Sequence, residues 1–283
     1  MNPGLIILLI IIGIVVVAIA IIVPLKIIYN KYKNFVLQHS LAIKELRQIN
    51  NRYHFNSVWD HDQINTYDNE KYYDMISPRD YLIYQLVYIQ KEVLTALNDT
   101  YGNRICFDKY KKEVLEKCHH DAFDTNELLK NRKMLFKIEK RLFRKELKTP
   151  RTEYWINVYL ELDKMNGVRV CSKRDTFYEK EIRSLIKRIN NKNGDFYLDD
   201  EIWKAIVRVE RGKVSNRLRF AIYARDGYRC RVCGRKTNDL EIDHVIPIAK
   251  GGKTTSSNLQ TLCSYCNKKK GAYIETSNNS YSR

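Results

Sequence analysis

The chain has 283 residues, 44% of them hydrophobic, with 11 Gly and 5 Pro, a composition that excludes collagen-like or low-complexity sequence. Its formal net charge of +17 is unevenly spread: residues 211–283 hold 15 Lys/Arg against 5 Asp/Glu. Such a local basic excess is the footprint of a polyanionic partner such as nucleic acid, a solvated basic surface being the plain alternative.

At the N-terminus, Leu5 to Val23 is an unbroken run of Ile, Leu, Val, Ala and one Gly. A helix rising ~1.5 Å per residue over such a run comes close to the ~30 Å hydrocarbon core, so a transmembrane anchor over residues 1–25 is expected. A cleaved signal peptide is the alternative, since Ala18-Ile-Ala20 mimics a cleavage site, but no basic residue precedes the run and the run is long for a signal. Lys26, Lys31, Lys33, Lys44 and Arg47 follow it. The positive-inside rule then predicts a single-pass protein of the cytoplasmic membrane, N-terminus outside and the rest of the chain cytoplasmic.

Residues 26–78 read as a juxtamembrane helix over 29–50 followed by a polar linker. Residues 79–211 read as a helical domain of unknown function. Leu82, Leu86, Ile89, Val93 and Leu97 recur at three and four, an amphipathic helix, and another runs from about Asp108 to His119. Residues 126–147 repeat the pattern with basic outer faces. Thr149-Pro150 reads as the cap of a helix ending at Gly167, residues 168–171 as a short strand, and two more helices follow, the last opening at Asp199. No phosphate-binding loop, nucleophile elbow or dinucleotide fingerprint occurs, which removes those enzyme classes. Cys118-His-His120 is too tightly spaced for three ligands on one ion.

The last region is the most specific. Val214 to Arg225 predicts a helix capped by Ser215 and stopped at Gly227. Two C-x-x-C pairs, Cys230/Cys233 and Cys263/Cys266, have the spacing of a four-thiolate zinc site. Metal-type spacing and an odd total of seven cysteines fit a reducing compartment better than a disulfide framework. Between the pairs, Leu240-Glu-Ile-Asp-His244 alternates as a half-buried strand, and Pro247 and Lys250-Gly-Gly252 make a turn. Asn258-Leu-Gln-Thr-Leu-Cys263 predicts a second strand, and Asn267 opens a helix with Lys268, Lys269 and Lys270. His244 is the one histidine after residue 120, with an ordinary pKa of about 6.5 that suits a general base.

These motifs over residues 214–271 resemble the HNH endonuclease family. The resemblance implies a small ββα-metal domain at 212–273, followed by a tail over 274–283, and makes the whole chain α+β with a mainly helical middle. It implies phosphodiester hydrolysis: His244 as base, Asn258 orienting the loop and the base, and Asp243 with Asn267 holding a catalytic divalent ion that stabilises the departing 3′ oxygen. The third motif position is Asn rather than His, and an amide oxygen favours Mg²⁺ or Mn²⁺ over Zn²⁺ or Ni²⁺ there. Structural Zn²⁺ falls to the four cysteines, and phosphate contacts are expected from Arg225, Arg229, Lys250 and Lys268 to Lys270. The expected partner is DNA, with RNA left open, together with the membrane and a homodimer through the helices. Two rival readings are a zinc module that binds nucleic acid or a partner without cutting, and a toxin nuclease. A membrane tether would suit defence against entering phage DNA.

Overall fold

The computed structural model describes residues 3–125, 131–163, 169–190 and 199–271 and divides into two compact units. The first unit joins residues 1–58 to 99–152, and the second joins 59–98 to 153–283.

The first unit is helical. Helix α1 runs from Pro3 to His39 and α2 from Leu41 to Arg52. The break falls at Ser40, whose hydroxyl caps α2 at Ile43 N and donates to the buried Glu139. The far half of a long helix α4 (Pro78–Lys117) and α5 (Arg132–Glu146) complete the unit. Phe35, Val36, Ile43, Leu46, Ile49, Tyr110, Leu135 and Ile138 form its core. Among the described residues no helix is long and apolar enough to cross a membrane. The expected anchor over 1–25, the single-pass topology and the cytoplasmic-membrane location are corrected accordingly, and the membrane leaves the list of partners. The apolar run is the first part of a 37-residue helix that continues through Lys26, Lys31 and Lys33 and seats Phe35 and Val36 in a globular core. Run length and composition alone therefore did not delimit a separate span.

The second unit is built on a sheet. Strands β1 (Gln63–Tyr67), β2 (Trp155–Asp163) and β3 (Arg169–Tyr178) pair in that order, β1 parallel and β3 antiparallel to β2. Three expectations change here, one being that the short strand expected over 168–171 extends as β3 to Tyr178, so that the next helix opens only at Glu179. The helix from Thr149 to Gly167 is instead β2, whose alternate residues Ile156, Val158, Leu160 and Leu162 are buried, as period-two sequence demands. The linker before Pro78 contains β1 and a short helix α3 (Glu70–Met75). Lys173 on β3 caps the end of α3 by donating to the carbonyls of Tyr73 at 2.6 Å and Ile76 at 3.2 Å. Helix α6 (Glu179–Asn190) and helix α7 (Asp200–Gly212) follow, the latter capped by Asp199 at Ile202 N. Arg79 bonds Glu201 at 2.8 Å and so ties the start of α4 to α7.

Helix α8 (Asn216–Arg225) is capped by the Ser215 hydroxyl, and its Asn216 backbone N–H donates to Asp68 at 2.9 Å, fixing α8 beside α3. The hairpin β4 (Leu240–His244) and β5 (Leu259–Cys263) then pairs antiparallel, and α9 (Ser264–Lys270) closes the chain's described part. The expected helix–strand–strand–helix order is present.

Candidate active site

The two ends of the β4–β5 hairpin do different work. At one end Leu240 faces Cys263, and at the other His244 faces Leu259.

At the first end the sulfurs of Cys230, Cys233, Cys263 and Cys266 all lie within 4.8 Å of one another, with only Cys233 exposed. A tetrahedron of ~2.3 Å Zn–S bonds has edges of about 3.8 Å. Cys233 Sγ lies 3.8 Å from Cys263 Sγ. Burial resists ionisation of Cys230, yet the backbone N–H groups of Cys233, Cys263 and Val232 outweigh it and bring its pKa down to about 7. Cys266 moves the opposite way, pushed up by burial and by the neighbouring sulfurs. Four thiolate sulfurs this close repel one another, so holding all of them ionised demands a cation. The cysteines are positioned as a zinc site.

The chain reverses at the second end through a 3₁₀ turn (Ile248–Lys250) and the Gly-Gly pair. Gly251 is left-handed at φ 81°, and a Cβ on Gly252 would lie 1.8 Å from Ile246 O. Asn258 fastens the loop: its Oδ1 accepts from Ile246 N at 2.8 Å, and its Nδ2 donates to Ile246 O at 3.1 Å and Lys253 O at 2.9 Å.

This loop delivers Thr254 to His244. Thr254 Oγ1 donates its one proton to Glu210 O at 2.6 Å and lies 2.8 Å from His244 Nε2. The hydroxyl can therefore only accept from the ring, so His244 carries its proton on Nε2 and offers Nδ1 as a lone pair. Glu210, on α7, also accepts from Thr254 N at 3.0 Å and from Tyr84 OH at 2.6 Å. His244 is only 8% exposed. Burial moves the imidazole below its ordinary pKa; Asp243 and Glu210 pull the other way, while Arg211 and Lys270 reinforce the drop. A neutral ring, the form a base needs, is thereby favoured.

Asp243 and Asn267 line one cleft of about 850 Å³ together with His244, Glu241 and Lys268. Asp243 Oδ2 pairs with Lys270 Nζ at 2.8 Å and receives Gln260 Nε2 at 3.4 Å. Asn267 gives its amide N–H to Glu241. Asp243 Oδ1 and Asn267 Oδ1 thus remain without a protein partner among the described residues.

The basic residues divide. Lys268 and Lys269 are exposed on α9 and Lys250 at the turn. Arg229 is exposed beside the first knuckle, 3.4 Å from Gly234 O. Arg225 instead spends its guanidinium on Ser256 O and Leu259 O, both at 2.7 Å, and on Asp226. Lys270 is turned inward, 2% exposed, and also donates to His244 O at 2.8 Å. At these two positions each cation already has carboxylate or backbone oxygens as partners. Sequence reasoning missed Glu210, Thr254 and Glu241. Glu241 was visible two residues before Asp243 on the same strand face, but Glu210 and Thr254 meet His244 only through the fold.

Residues 230–272 match the HNH endonuclease family. No curated protein and no solved structure matches the chain. Spacing, hairpin, thiolate cluster and family match converge on one statement: residues 230–272 are an HNH endonuclease domain, placed at the C-terminal end of the chain, with Cys230, Cys233, Cys263 and Cys266 set as its zinc site.

Proposed function

We propose that the protein is a divalent-metal-dependent endonuclease that hydrolyses DNA phosphodiester bonds, with His244 as the general base. The observation that carries this reading is the bond from His244 to Thr254, which fixes the ring's proton on Nε2 and leaves Nδ1 free beside the cleft.

His244 Nδ1 takes a proton from water, the water oxygen bonds to phosphorus, the bond from phosphorus to the 3′ oxygen breaks, and the departing oxygen takes a proton from solvent while His244 gives its own back to solvent. Products carry a 5′-phosphate and a 3′-hydroxyl. Asn258 keeps the loop, and through it Thr254, in place. The donor set fits a hard, largely hydrated cation: one carboxylate oxygen of Asp243 and one amide oxygen of Asn267, with Glu241 adjacent through its bond to Asn267. Mg²⁺ or Mn²⁺ bound there would neutralise charge on the phosphate and on the leaving oxygen. Lys268 and Lys269 would contact flanking phosphates, which position a substrate without reading its sequence. The phage-defence idea rested on the membrane tether and falls with it.

The test is plasmid nicking by the full chain with Mg²⁺, beside His244→Ala and a reaction without Mg²⁺. Nicking lost in both controls is the expected result. Intact plasmid from folded, zinc-loaded wild-type protein would leave a binding module instead.

A further inference from the structure

The cleft beside His244 extends well beyond the family-matched segment. Its other wall comes from α3 and α7: Lys71, Tyr72, Met75, Trp203 and Arg211, with Lys268 of α9 opposite. This wall is rigidly placed. Lys173 caps α3, Asp68 ties it to α8, and Arg219 reaches Tyr72 OH at 3.3 Å. Lys71, Arg211 and Lys268 are exposed and have no ion pair or hydrogen bond from their side chains among the described residues.

Two aromatic rings and a thioether in the same cavity as three exposed cations form an unusual surface for contact with duplex backbone alone. Phosphates account for the cations. The rings and the thioether offer a complementary surface to something flat and apolar. The cleft holds about 850 Å³, within the ~300–1,000 Å³ range of sites that receive a small organic ligand, and so has room for one nucleotide. Bases that leave their stack are characteristically taken up on aromatic faces, with basic side chains along the strand.

We propose that this wall seats one unstacked nucleotide of a single-stranded nucleic acid, its base against Trp203 and Tyr72 and its phosphates on Lys71, Arg211 and Lys268. The inference rests on the nuclease reading above and narrows its substrate to strands that are single or locally opened next to the scissile bond. Helix α7 would then serve the site twice, through Glu210 on the base and through Trp203 on the substrate.

The experiment uses full-length His244→Ala protein, so that nothing is cut, with a short fluorescein-labelled oligothymidylate and a duplex of equal length. Anisotropy reads binding, and tryptophan emission reads stacking. Tighter binding of the oligothymidylate is expected, with quenching that largely disappears in Trp203→Phe if that ring is the stacked one. Trp203→Leu, which keeps apolar bulk without a π face, should weaken the oligothymidylate by about tenfold, within the range stacking supplies, and leave the duplex nearly unchanged. Equal losses on both probes, no loss on either, or unquenched emission at saturation would each overturn the proposal. Should Trp203→Leu fail to fold, quenching in the unaltered ring and a selective loss of the oligothymidylate in Arg211→Gln decide instead. Plasmid that wild-type protein leaves intact sinks the nuclease reading, whereas these binding results stand or fall by themselves.

Discussion

The zinc end and the cleft end of the β4–β5 hairpin lie four residues apart along each strand, yet they are built on opposite terms. At the zinc end every ligand comes from the family-matched segment. At the cleft end His244 depends on Thr254, Thr254 depends on Glu210 of α7, and the far wall comes from α3 and α7. The metal-type cluster is assembled within one short segment, while the surroundings of His244 are assembled from elements far apart in the chain.

The largest effect that would break this comparison lies at the zinc end. Zinc binding by such modules supplies on the order of 10–16 kcal/mol of apparent folding free energy. Cys263→Ser should therefore unfold residues 230–271 and abolish cleavage, while the three-stranded sheet persists. Hydrogen exchange would read both at once. A variant that kept the hairpin protected would show that the surrounding helices, rather than the ion, hold the module.

The next effect lies between the ends, at Lys270. Its ammonium is 2% exposed and bonds both Asp243 and His244 O. Removing one partner of a fully buried pair costs ~3–5 kcal/mol. Asp243 keeps 18% side-chain exposure, so about 2 kcal/mol is expected for Lys270→Met. Chemical denaturation followed by hairpin-specific exchange measures it. An unchanged midpoint would mean that solvent already satisfies Asp243.

The same division explains what the sequence could reveal. The zinc cysteines, the Asp243-His244 pair, the Gly-Gly turn and Asn258 are local in sequence, and spacing displays them. Glu210 meets Thr254 across 44 residues, and β1 pairs in parallel with a strand more than 90 residues later, so no local pattern announces either. Strand β2 is a different case. Its alternation of Ile156, Val158, Leu160 and Leu162 was present, but Thr149-Pro150 mimics a helix start and masked it. Helix α4 runs unbroken from Pro78 to Lys117 where the sequence offers two helices, because Gly102 lowers propensity without stopping a helix that Thr100 and Asn103, on either side of it, anchor by burial.

A third prediction concerns the coupling to α7. Thr254→Val removes the acceptor for His244 Nε2–H and frees the ring to adopt either tautomer. Cleavage should fall about 10–100-fold, as when an outer-shell partner of a site histidine is lost, with substrate affinity retained and Thr254→Ser restoring most of the rate. Loss of affinity instead would make Thr254 a substrate contact. Glu210 adds a pH signature. Burial pushes its carboxyl up, but Tyr84 OH, Thr254 N and Lys213 outweigh burial and hold the pKa below the ordinary 4.5. The folded state therefore binds the proton less tightly than the unfolded one. The stability it contributes is present above about pH 4.5 and fades as pH falls through the lower folded value. Glu210→Gln should flatten that acid limb of the stability curve.

The smallest expected effect separates structural from substrate cations on the module itself. Arg225 hydrogen-bonds Ser256 O and Leu259 O and pairs with Asp226, which in turn accepts from Thr261 N at 2.8 Å. Arg225→Gln should cost stability of about 1–2 kcal/mol, the scale of hydrogen bonds made by a charged group, and leave the salt dependence of DNA binding unchanged. Lys268, exposed on the cleft, should do the reverse: Lys268→Gln lowers the slope of log affinity against log salt by about one and leaves the melting temperature alone. If both variants moved the salt slope alike, Arg225 would have to leave its carbonyls when DNA binds. The hairpin would then rearrange on its substrate instead of meeting it preformed.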